Sequence, residues 1–321
     1  MIKVGIIGAA GYTAGELLRI LKWHPKVEIE FAQSNSQADL PVTDIHTDLM
    51  GETDLIFVKK ATKKVDVVFL CSGHGKSRSF LENHPFPDET KIIDLSRDFR
   101  IKDSADGFMY GLPELNREKI IDTNKIANPG CFATAIQLAL LPLAKHGLLK
   151  NEIHVHALTG STGAGQQPTP TTHFSWRNNN VSIYKPFTHQ HLGEIGESIR
   201  QHQPDFNTAI NFLPVRGNFT RGIFASLYMT IDMELEPIQQ LFSTYYENHE
   251  FVHLVSKNPT LKQVVNTNKC YLFLQKHEDK VLIISTIDNL IKGAAGQAVQ
   301  NMNLMFGLTE SEGLKLKGSA F

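Results

Sequence analysis

A glycine-rich segment near the start of the chain constrains the fold more than any other feature of the sequence. The β-branched run Ile2–Gly8 predicts a strand, and Thr13–Trp23 carries apolar residues at helical spacing until Pro25 ends the pattern. Between them the glycines stand in a GxxGxxxG arrangement, which permits a tight turn and close approach of the main chain. Because a pyrophosphate can rest on the N–H groups of such a helix, the segment predicts a dinucleotide site. The alternative is a glycine turn that serves packing alone.

The remaining hydrophobic patterns predict two parts of different character. In the first part, strands recur at helix-sized intervals, which favours a parallel sheet. In the second part, longer strands follow one another, which favours an antiparallel or mixed sheet. The predicted strands are Val27–Ala32, Lys64–Leu70 and Lys91–Leu95, followed by residues 152–158, 209–215, 223–233, 269–275 and 281–287. Helices are predicted over Cys131–His146 and Gly293–Phe306, and a functional loop over Gly160–Asn180.

Composition and charge exclude several classes of protein. With 41% hydrophobic and 20% charged residues, the chain can bury a core, and its 321 residues indicate about two domains. The 32 basic residues nearly balance the 33 acidic ones, and like charges form no run. We therefore do not expect nucleic acid or a membrane as a partner. We expect the partner to be a small molecule.

The cysteines and the N-terminus bear on the cellular environment. Cys71, Cys131 and Cys270 form no CxxC motif, which excludes a disulfide framework and a cysteine-rich zinc site. We expect a reducing, cytoplasmic setting and no bound metal. The first residues are too rich in glycine for a secretory signal, and no apolar stretch approaches the roughly 18 residues of a spanning helix.

The end of the second predicted strand bears on the choice of coenzyme. NAD-preferring sites usually carry Asp or Glu there to bind the ribose 2′-hydroxyl. Here the strand ends in Gln33–Ser36, while Glu28 and Glu30 alternate with apolar residues on the strand's outward face. Since no carboxylate would repel a 2′-phosphate, the sequence favours NADP.

Cys131 is the candidate nucleophile. It follows Asn128-Pro129-Gly130, where a loop enters a predicted helix. The positive end of the helix favours the thiolate, which is the nucleophilic form. A small buried cysteine without chemistry is the alternative. A nucleophilic thiol beside a nicotinamide indicates covalent acyl chemistry, in which hydride transfer interconverts a thioester and an aldehyde.

That chemistry needs a general acid or base, and histidine fills this role most often. The fourteen histidines include His154, His156, His173, His189 and His191, and their spacing does not choose among them. The His-x-His pairs lack a carboxylate or cysteine at ligand spacing, so they do not predict a metal site.

Six segments together resemble the N-acetyl-gamma-glutamyl-phosphate reductases, and the resemblance runs nearly from end to end. Each segment alone is modest evidence, but their order along the chain is highly specific. The segments are residues 8–17 (GAAGYTAGEL), 94–100 (DLSRDFR), 110–117 (YGLPELNR), 128–134 (NPGCFAT), 161–165 (STGAG) and 288–298 (DNLIKGAAGQA).

The resemblance implies an α/β fold with two domains. A Rossmann-like NADP-binding domain would comprise residues 1–132 and 292–321, with the C-terminal helix returning to it. A second α+β domain, residues 133–291, would carry a mixed or antiparallel sheet and serve substrate binding and self-association.

The family's activity implies roles for particular residues. By resemblance Cys131 attacks an acyl phosphate, phosphate leaves, and NADPH reduces the thioester to an N-acylglutamate semialdehyde. His191 would be the base, because residues 188–195 (THQHLGEI) are similar to the family's HRHQPEI, and His189 is the second choice. Arg100 would face the phosphate, with a surface salt bridge as the alternative. The expected partners are a small N-acylglutamyl phosphate and further copies of the chain, as a homodimer or homotetramer in the cytoplasm.

The remaining site residues are assigned on the same motifs. We expect the substrate to contact Arg100, Arg216, Arg221 and Asn289. We expect NADP to contact Gly8, Ala9, Gly11, Tyr12, Thr13, Ser34, Asn35, Ser36, Ser72, Gly73, Ser96, Gly163, Gly165 and Asn289.

The sequence departs from the family pattern at positions that bear on the substrate. Gln166 and Gln167 stand where the family often has Arg or Lys, Gly193 replaces a proline, and Arg216 appears in a segment like the family's PHLGNFPRGI. One hypothesis is that Arg216 reshapes the N-acyl pocket, so that an acyl group with its own carboxylate, such as succinyl, is preferred to acetyl. The alternative is a surface or interface charge.

Two other functions stay open at this point. An aspartate-semialdehyde dehydrogenase would share the chemistry and the broad architecture, but residues 94–100 and 110–117 argue against it. A non-catalytic NADP-binding sensor would share the fold, but the presence of Cys131, His191 and Arg100 in their motifs argues against it.

Overall fold

The structure is a computed structural model that describes residues 1–61 and 64–319. Contacts between Cα atoms divide the chain into two units, Met1–Pro129 with Ala294–Lys315, and Gly130–Gly293 with the residues from Leu316. This division differs from the expected one by a few residues at each boundary and at the C-terminus. The last residues group with the second unit because the Ser319 N–H donates to the Val265 carbonyl (3.2 Å).

The first unit is built on a parallel sheet. Its strands are β1 (Ile2–Ile7), β2 (Val27–Gln33), β3 (Phe57–Val58), β4 (Val67–Leu70), β5 (Lys91–Asp94), β6 (Met109–Tyr110) and β7 (Lys125–Ala127). They pair in parallel in the order β3-β2-β1-β4-β5-β7-β6. The helices between them are α1 (Tyr12–Lys22), α2 (Ser77–Asn83) and α3 (Pro113–Ile121). The chain starts in the middle of the sheet and extends it to both sides, which confirms the predicted Rossmann-like fold.

The second unit is built on a mixed sheet. Its helices are α4 (Cys131–Lys145), α5 (Phe174–Arg177), α6 (His191–His202) and α7 (Leu235–Tyr246). Its strands are β8 (Ile153–Thr159), β9 (Ser182–Ile183), β10 (Ile210–Arg216), β11 (Ile223–Thr230), β12 (Val252–Leu254), β13 (Cys270–His277) and β14 (Lys280–Ile287). Their order is β12-β13-β14-β11-β8-β10-β9, in which the β8–β10 and β12–β13 pairs are parallel. The predicted mixed sheet is confirmed.

Helix α4 is the central helix of the second unit. Residues Phe132–Ala144 are buried without interruption, and the helix packs against α6, α7, β11 and β14. A helix that is apolar on every side needs such an all-round setting. Its first residue is therefore held by packing over the whole length of the helix.

The chain returns to the first unit after β14. A π-helical turn over Ile291–Ala295 precedes α8 (Gly296–Met305), which contacts α1 and α3. The α-helix starts three residues later than the Gly293 start expected from the sequence, since the wider π turn occupies those positions. Over residues 1–61 and 64–319, no helix combines the length and the hydropathy that a bilayer crossing requires.

Candidate active site

Cys131 begins α4, and its side chain is partly exposed. Gly293, in the π turn, lies directly against it. A Cβ atom placed on Gly293 would be 2.7 Å from Cys131 Cβ and 3.2 Å from Cys131 Cα. Since carbon atoms in contact are normally about 3.5–4.0 Å apart, only a glycine allows the main chain to come this close.

The other two thiols are in settings that do not favour reaction. Burial, and then the charge of Asp94, raises the pKa of the Cys71 thiol far above its usual range. Cys270 is buried in β13, with its Sγ 3.5 Å from Ser285 Oγ. Cys131 is therefore the thiol best placed to act as a nucleophile.

Glu194 joins the start of α4 to the candidate base. This carboxylate is buried, and its Oε2 accepts the N–H of Gly130 (3.0 Å), the residue that precedes Cys131. Its Oε1 lies 3.8 Å from Nε2 of His191. Residues i and i+3 share one face of a helix, so α6 presents both side chains on the same side. A carboxylate in this place stabilises the imidazolium that a general base becomes.

His189, the second choice for the base, is in a different setting. Its Nδ1 accepts the N–H of His191 (3.2 Å), and the ring is buried. Burial, assisted by Lys185, lowers the pKa of His189 to about 4. His189 is therefore neutral at pH 7 and already engaged in holding the start of α6. The geometry favours His191 over His189 as the base.

Tyr184 connects the nucleophile to Arg216. Burial, and then the charge of Cys131, raises the pKa of the Tyr184 hydroxyl, so the phenol lies within electrostatic reach of the thiol. The guanidinium carbon of Arg216 is 4.3 Å from the centroid of the Tyr184 ring, and Nη1 donates to Thr171 Oγ1 (3.1 Å). A cation over the face of a tyrosine ring is an attractive contact.

Arg221, expected to bind substrate, is paired within the chain. It donates from Nε to Asp288 Oδ2 (3.1 Å), and Asp288 is fully buried. The same carboxylate accepts the N–H groups of Asn266 (2.7 Å), Leu290 (2.8 Å) and Ile291 (3.2 Å). Asp288 therefore fixes the turn that carries Gly293, and Arg221 supports this carboxylate.

Asn289 also makes contacts within the second unit. Its Oδ1 accepts the Gly222 N–H (2.7 Å), and its Nδ2 donates to Thr162 Oγ1 (3.0 Å). Thr162 belongs to the turn that contains Gly163 and Gly165. Asn289 thus ties the segment after β14 to that turn, and its predicted contacts with substrate and coenzyme stay predictions.

Arg100 lies in the first unit and is buried. Its Nε donates to the carbonyl of Asn128 (2.8 Å), and its Nη2 donates to that of Leu95 (3.1 Å). The side chain therefore supports the loop that leads to Cys131, three residues further along the chain. Since the residue is buried, it is not a surface charge, and its contact with phosphate stays a prediction.

The glycine loop of the first unit fits a dinucleotide. Gly8 has φ +75°, and a Cβ atom there would be 2.8 Å from the main chain of Cys71 and Ser72. Helix α1 begins after Gly11 with no side-chain cap and no acidic residue in its first turn. Main-chain N–H groups and the positive helix end are therefore the local features that an anionic pyrophosphate would meet. Ala9 is buried in this loop, and Tyr12 and Thr13 begin the helix.

Gln33 stands at the end of β2, where NAD-dependent proteins usually carry an acid. Its Oε1 accepts the Gly8 N–H (3.3 Å), and its Nε2 donates to Asn35 Oδ1 (2.7 Å) and to the Lys59 carbonyl (3.0 Å). Asn35 and Ser36 are exposed beyond it, and Ser34 is buried. The described residues at the end of β2, Gln33–Ser36, thus include amide and hydroxyl donors for a 2′-phosphate and no carboxylate that would repel it.

Ser96, also expected at the coenzyme, is hydrogen-bonded to neighbouring residues of its own segment. Its hydroxyl donates to Asp94 Oδ2 (2.7 Å) and accepts the Asp98 N–H (3.1 Å), and the residue is buried. Ser72 and Gly73 follow β4 and are at least partly exposed. Within residues 1–61 and 64–319, no group of three metal-ligating side chains occurs.

Two residues with distinctive settings were not anticipated from the sequence. One is Glu194, for which the spacing from His191 was the available indication. The other is Arg177, a buried arginine at the end of α5. It lies in the predicted functional loop, but nothing in the loop's sequence distinguishes it.

Two family models match the chain. A semialdehyde dehydrogenase NAD-binding domain matches residues 3–123, and a semialdehyde dehydrogenase dimerisation domain matches residues 131–289. Among curated relatives, the N-acetyl-gamma-glutamyl-phosphate reductase of Parabacteroides distasonis is 58% identical over 322 residues, and that of Bacteroides thetaiotaomicron is 57% identical. Each match covers 100% of both chains.

Solved structures with a similar fold are more distant in sequence. Aspartate semialdehyde dehydrogenase II from Vibrio cholerae has a TM-score of 0.74 at 17% identity, over 96% of this chain and 98% of that one. The Candida albicans aspartate semialdehyde dehydrogenase with NADP has a TM-score of 0.70 at 13% identity, over 95% and 98%. At these identities the likeness concerns the fold alone.

Proposed function

The chain belongs to the N-acetyl-gamma-glutamyl-phosphate reductase family, and we propose that it reduces an N-acyl-γ-glutamyl phosphate to the N-acylglutamate semialdehyde, with NADPH, in arginine biosynthesis. The observation that carries the proposal is the partly exposed thiol of Cys131, in a unit where Glu194 joins the start of its helix to His191. The aspartate-semialdehyde dehydrogenase alternative is not supported, because relatives at 57–58% identity carry the other name.

The first half of the reaction needs a thiolate and an acceptor for its proton. His191 accepts the thiol proton, and Glu194 stabilises the resulting imidazolium. The sulfur of Cys131 forms a bond to the acyl carbon while the bond from that carbon to the phosphate oxygen breaks. Phosphate leaves, and a thioester remains on Cys131.

The second half returns the proton. NADPH, when bound, supplies the hydride that reduces the thioester. His191 then gives its proton to the oxygen of the reduced intermediate, from which the aldehyde is released and the thiol is regenerated. The glycine loop at Gly8–Gly15 and the donors after Gln33 are the residues of this chain that would hold the coenzyme.

The assembly, location and acyl group complete the proposal. Self-association through the second unit is supported by its match to a dimerisation domain. A cytoplasmic location is supported by the chain's relatives being biosynthetic enzymes. The positive guanidinium of Arg216 lies over Tyr184, which is within electrostatic reach of Cys131. This placement supports an acyl group that carries its own carboxylate.

The test is to assay the purified protein with N-acetyl- and N-succinyl-γ-glutamyl phosphate, each with NADPH and NADH. We expect turnover of at least one acyl phosphate and a preference for NADPH. Phosphate-dependent reduction of NADP with aspartate semialdehyde, but not with an N-acylglutamate semialdehyde, would overturn the assignment.

Two variants test the roles of the side chains. Cys131→Ser should lose nearly all turnover and keep NADP binding, because the coenzyme is held by other residues. His191→Asn should fold and bind NADP but turn over about 10²- to 10⁴-fold more slowly. A Cys131→Ser protein with near-wild-type activity would contradict the thioester mechanism.

A further inference from the structure

Arg177 carries a guanidinium whose hydrogen-bonding capacity the chain uses only in part. Its Nη2 donates to the carbonyls of Asn180 (2.7 Å) and Arg216 (3.0 Å). Its Nε and Nη1 are shielded from solvent and meet no acceptor among the described residues. Because the residue is only 9% exposed, solvent water does not accept these N–H groups in place of a protein acceptor. Charged donors in this condition are costly, and a ligand could supply the missing acceptors.

A second arginine adds to the positive charge at this place. Arg177 donates to the carbonyl of Arg216, and burial together with the charge of Arg216 lowers the pKa of Arg177. In the part of the chain that the structure describes, neither guanidinium forms an ion pair with an acidic side chain. Two neighbouring cations without an acid repel each other, and an anion between them would relieve the repulsion.

The pair lies on the side of the second unit that contains the nucleophile. Arg216 is stacked on Tyr184, and Tyr184 is within electrostatic reach of Cys131. Arg216 is partly exposed, so it can meet a ligand directly, and Arg177 is hydrogen-bonded to the carbonyl of Arg216. An anion bound here would therefore lie on the same side of the unit as the thiol, where a substrate of Cys131 could carry it.

We propose that Arg177 and Arg216 together form a binding site for a carboxylate of the N-acylglutamyl substrate. This inference rests on the proposed function, because it takes the substrate to be an acylated amino acid. A guanidinium matches a carboxylate in shape and charge and is the usual residue for such recognition. The carboxylate is either the one on the α-carbon or one carried by the acyl group.

The test uses the variants Arg177→Met, Arg177→Lys and Arg216→Met, with Arg200→Met as the matched control. Arg200 is an exposed arginine of α6 in the same unit. Isothermal titration with N-acetylglutamate and N-succinylglutamate measures binding in the absence of turnover. We expect Arg177→Met and Arg216→Met each to weaken binding about 10- to 100-fold. The NADP affinity of these variants should stay within about twofold of wild type. The dissociation constants of Arg200→Met for NADP and for both N-acylglutamates should also stay within about twofold.

Kinetics give a second readout. The KM for the acyl phosphate should rise by about the same factor as the dissociation constant, while kcat changes by less than about threefold, because the site binds substrate without touching the reacting carbon. Arg177→Lys keeps the positive charge but lacks the planar guanidinium. Its dissociation constants and KM should therefore lie between those of wild type and of Arg177→Met. If Arg177→Met does not fold, Arg177→Lys and Arg216→Met carry the test.

The two ligands identify the carboxylate. An equal loss for both ligands that N-acetylglutamine, which has no γ-carboxylate, also shows assigns the pair to the α-carboxylate. A loss confined to N-succinylglutamate assigns it to the acyl group, and either of these results supports the site. An equal loss that N-acetylglutamine does not show places the pair at the position of the acyl phosphate and overturns it. Binding within twofold of wild type for both ligands in Arg177→Lys and Arg216→Met would overturn it. Inorganic phosphate that competes with N-acetylglutamate and loses affinity to the same extent would overturn it as well, since the site would then be one for phosphate. If the wild-type protein turns over neither acyl phosphate, the proposed function fails, and the titrations still decide whether the arginines bind a carboxylate.

Discussion

Replacing Gly293 by alanine should disturb the nucleophile more than any other change of one methyl group in this region. The added Cβ would stand 2.7 Å from Cys131 Cβ, 3.2 Å from its Cα and 3.3 Å from the Asp288 carbonyl oxygen. To bring the two Cβ atoms to about 3.5 Å, the segments must separate by about 0.8 Å. Neither can move freely, because α4 is buried along its length and Asp288 is held by several donors.

The magnitude follows from that displacement. Forcing a methyl group into a packed site costs about 1–3 kcal/mol of unfolding free energy. A shift of about 1 Å in a reacting group can cost about 10²-fold in rate. We therefore expect Gly293→Ala to lower kcat/KM about 10²-fold while the protein stays folded and NADP binding changes little.

The assay combines steady-state reduction of the acyl phosphate with the rate at which iodoacetamide alkylates Cys131, located by mass spectrometry. Gly196→Ala is the control, because the atoms nearest to a Cβ there, in the middle of α6, belong to the flexible end of the Arg200 side chain, the first at 3.3 Å. A Gly293→Ala protein with kcat/KM and alkylation rate within threefold of wild type would show that the close approach of Gly293 does not position the thiol.

Two further predictions concern the histidines and their neighbours. Glu194→Gln keeps an acceptor for the Gly130 N–H but removes the charge beside His191, so kcat should fall at least about tenfold and the acid limb of its pH profile should move; an unchanged profile would separate Glu194 from the base. Because the folded-state pKa of His189 is about 4, below its ordinary 6.5, the unfolded chain takes up a proton that the folded one does not. The free energy of unfolding should therefore fall as the pH drops from 6.5 towards 4. The loss from this group should reach about 2 kcal/mol at pH 5, and the group should contribute nothing above pH 7. Urea unfolding at pH 7.5 and pH 5 measures it, and His189→Gln should lose that part of the pH dependence; an identical pH dependence in the variant would rule His189 out as its source.

Features with a local cause could be predicted from the sequence. The strand–turn–helix at the N-terminus follows from glycine spacing and apolar periodicity, and both are properties of neighbouring residues. The start of α4 at Cys131 follows from Pro129 and Gly130 in front of a long apolar run. Helix α7 was missed although Ile238, Phe242 and Tyr246 are buried at helical spacing, because Pro237 near its start resembles a helix stop. Strands of two residues, such as β3 and β9, are too short to show a period.

Features with a tertiary cause could not be predicted in the same way. The bond from Gly130 to Glu194 joins residues that are 64 positions apart, and it depends on the packing of α4 against α6. The partners of Arg100 and Arg221 illustrate the same difficulty. A cation in a motif is compatible with a phosphate, a main-chain carbonyl or a buried carboxylate, and only the folded chain distinguishes Asn128 and Asp288 as the groups in contact.

The amide of Gln33 bears on any attempt to change the coenzyme preference of this enzyme from NADPH to NADH. The obvious exchange, Gln33→Asp, would introduce the ribose ligand of an NAD enzyme. It would also remove the Nε2 group that donates to Asn35 Oδ1 and to the Lys59 carbonyl. The shorter side chain would move the oxygen that accepts the Gly8 N–H away from it. One side chain thus holds the glycine turn and determines the charge at the end of β2, so a redesign must first rebuild the turn by other means before it can change the preferred coenzyme.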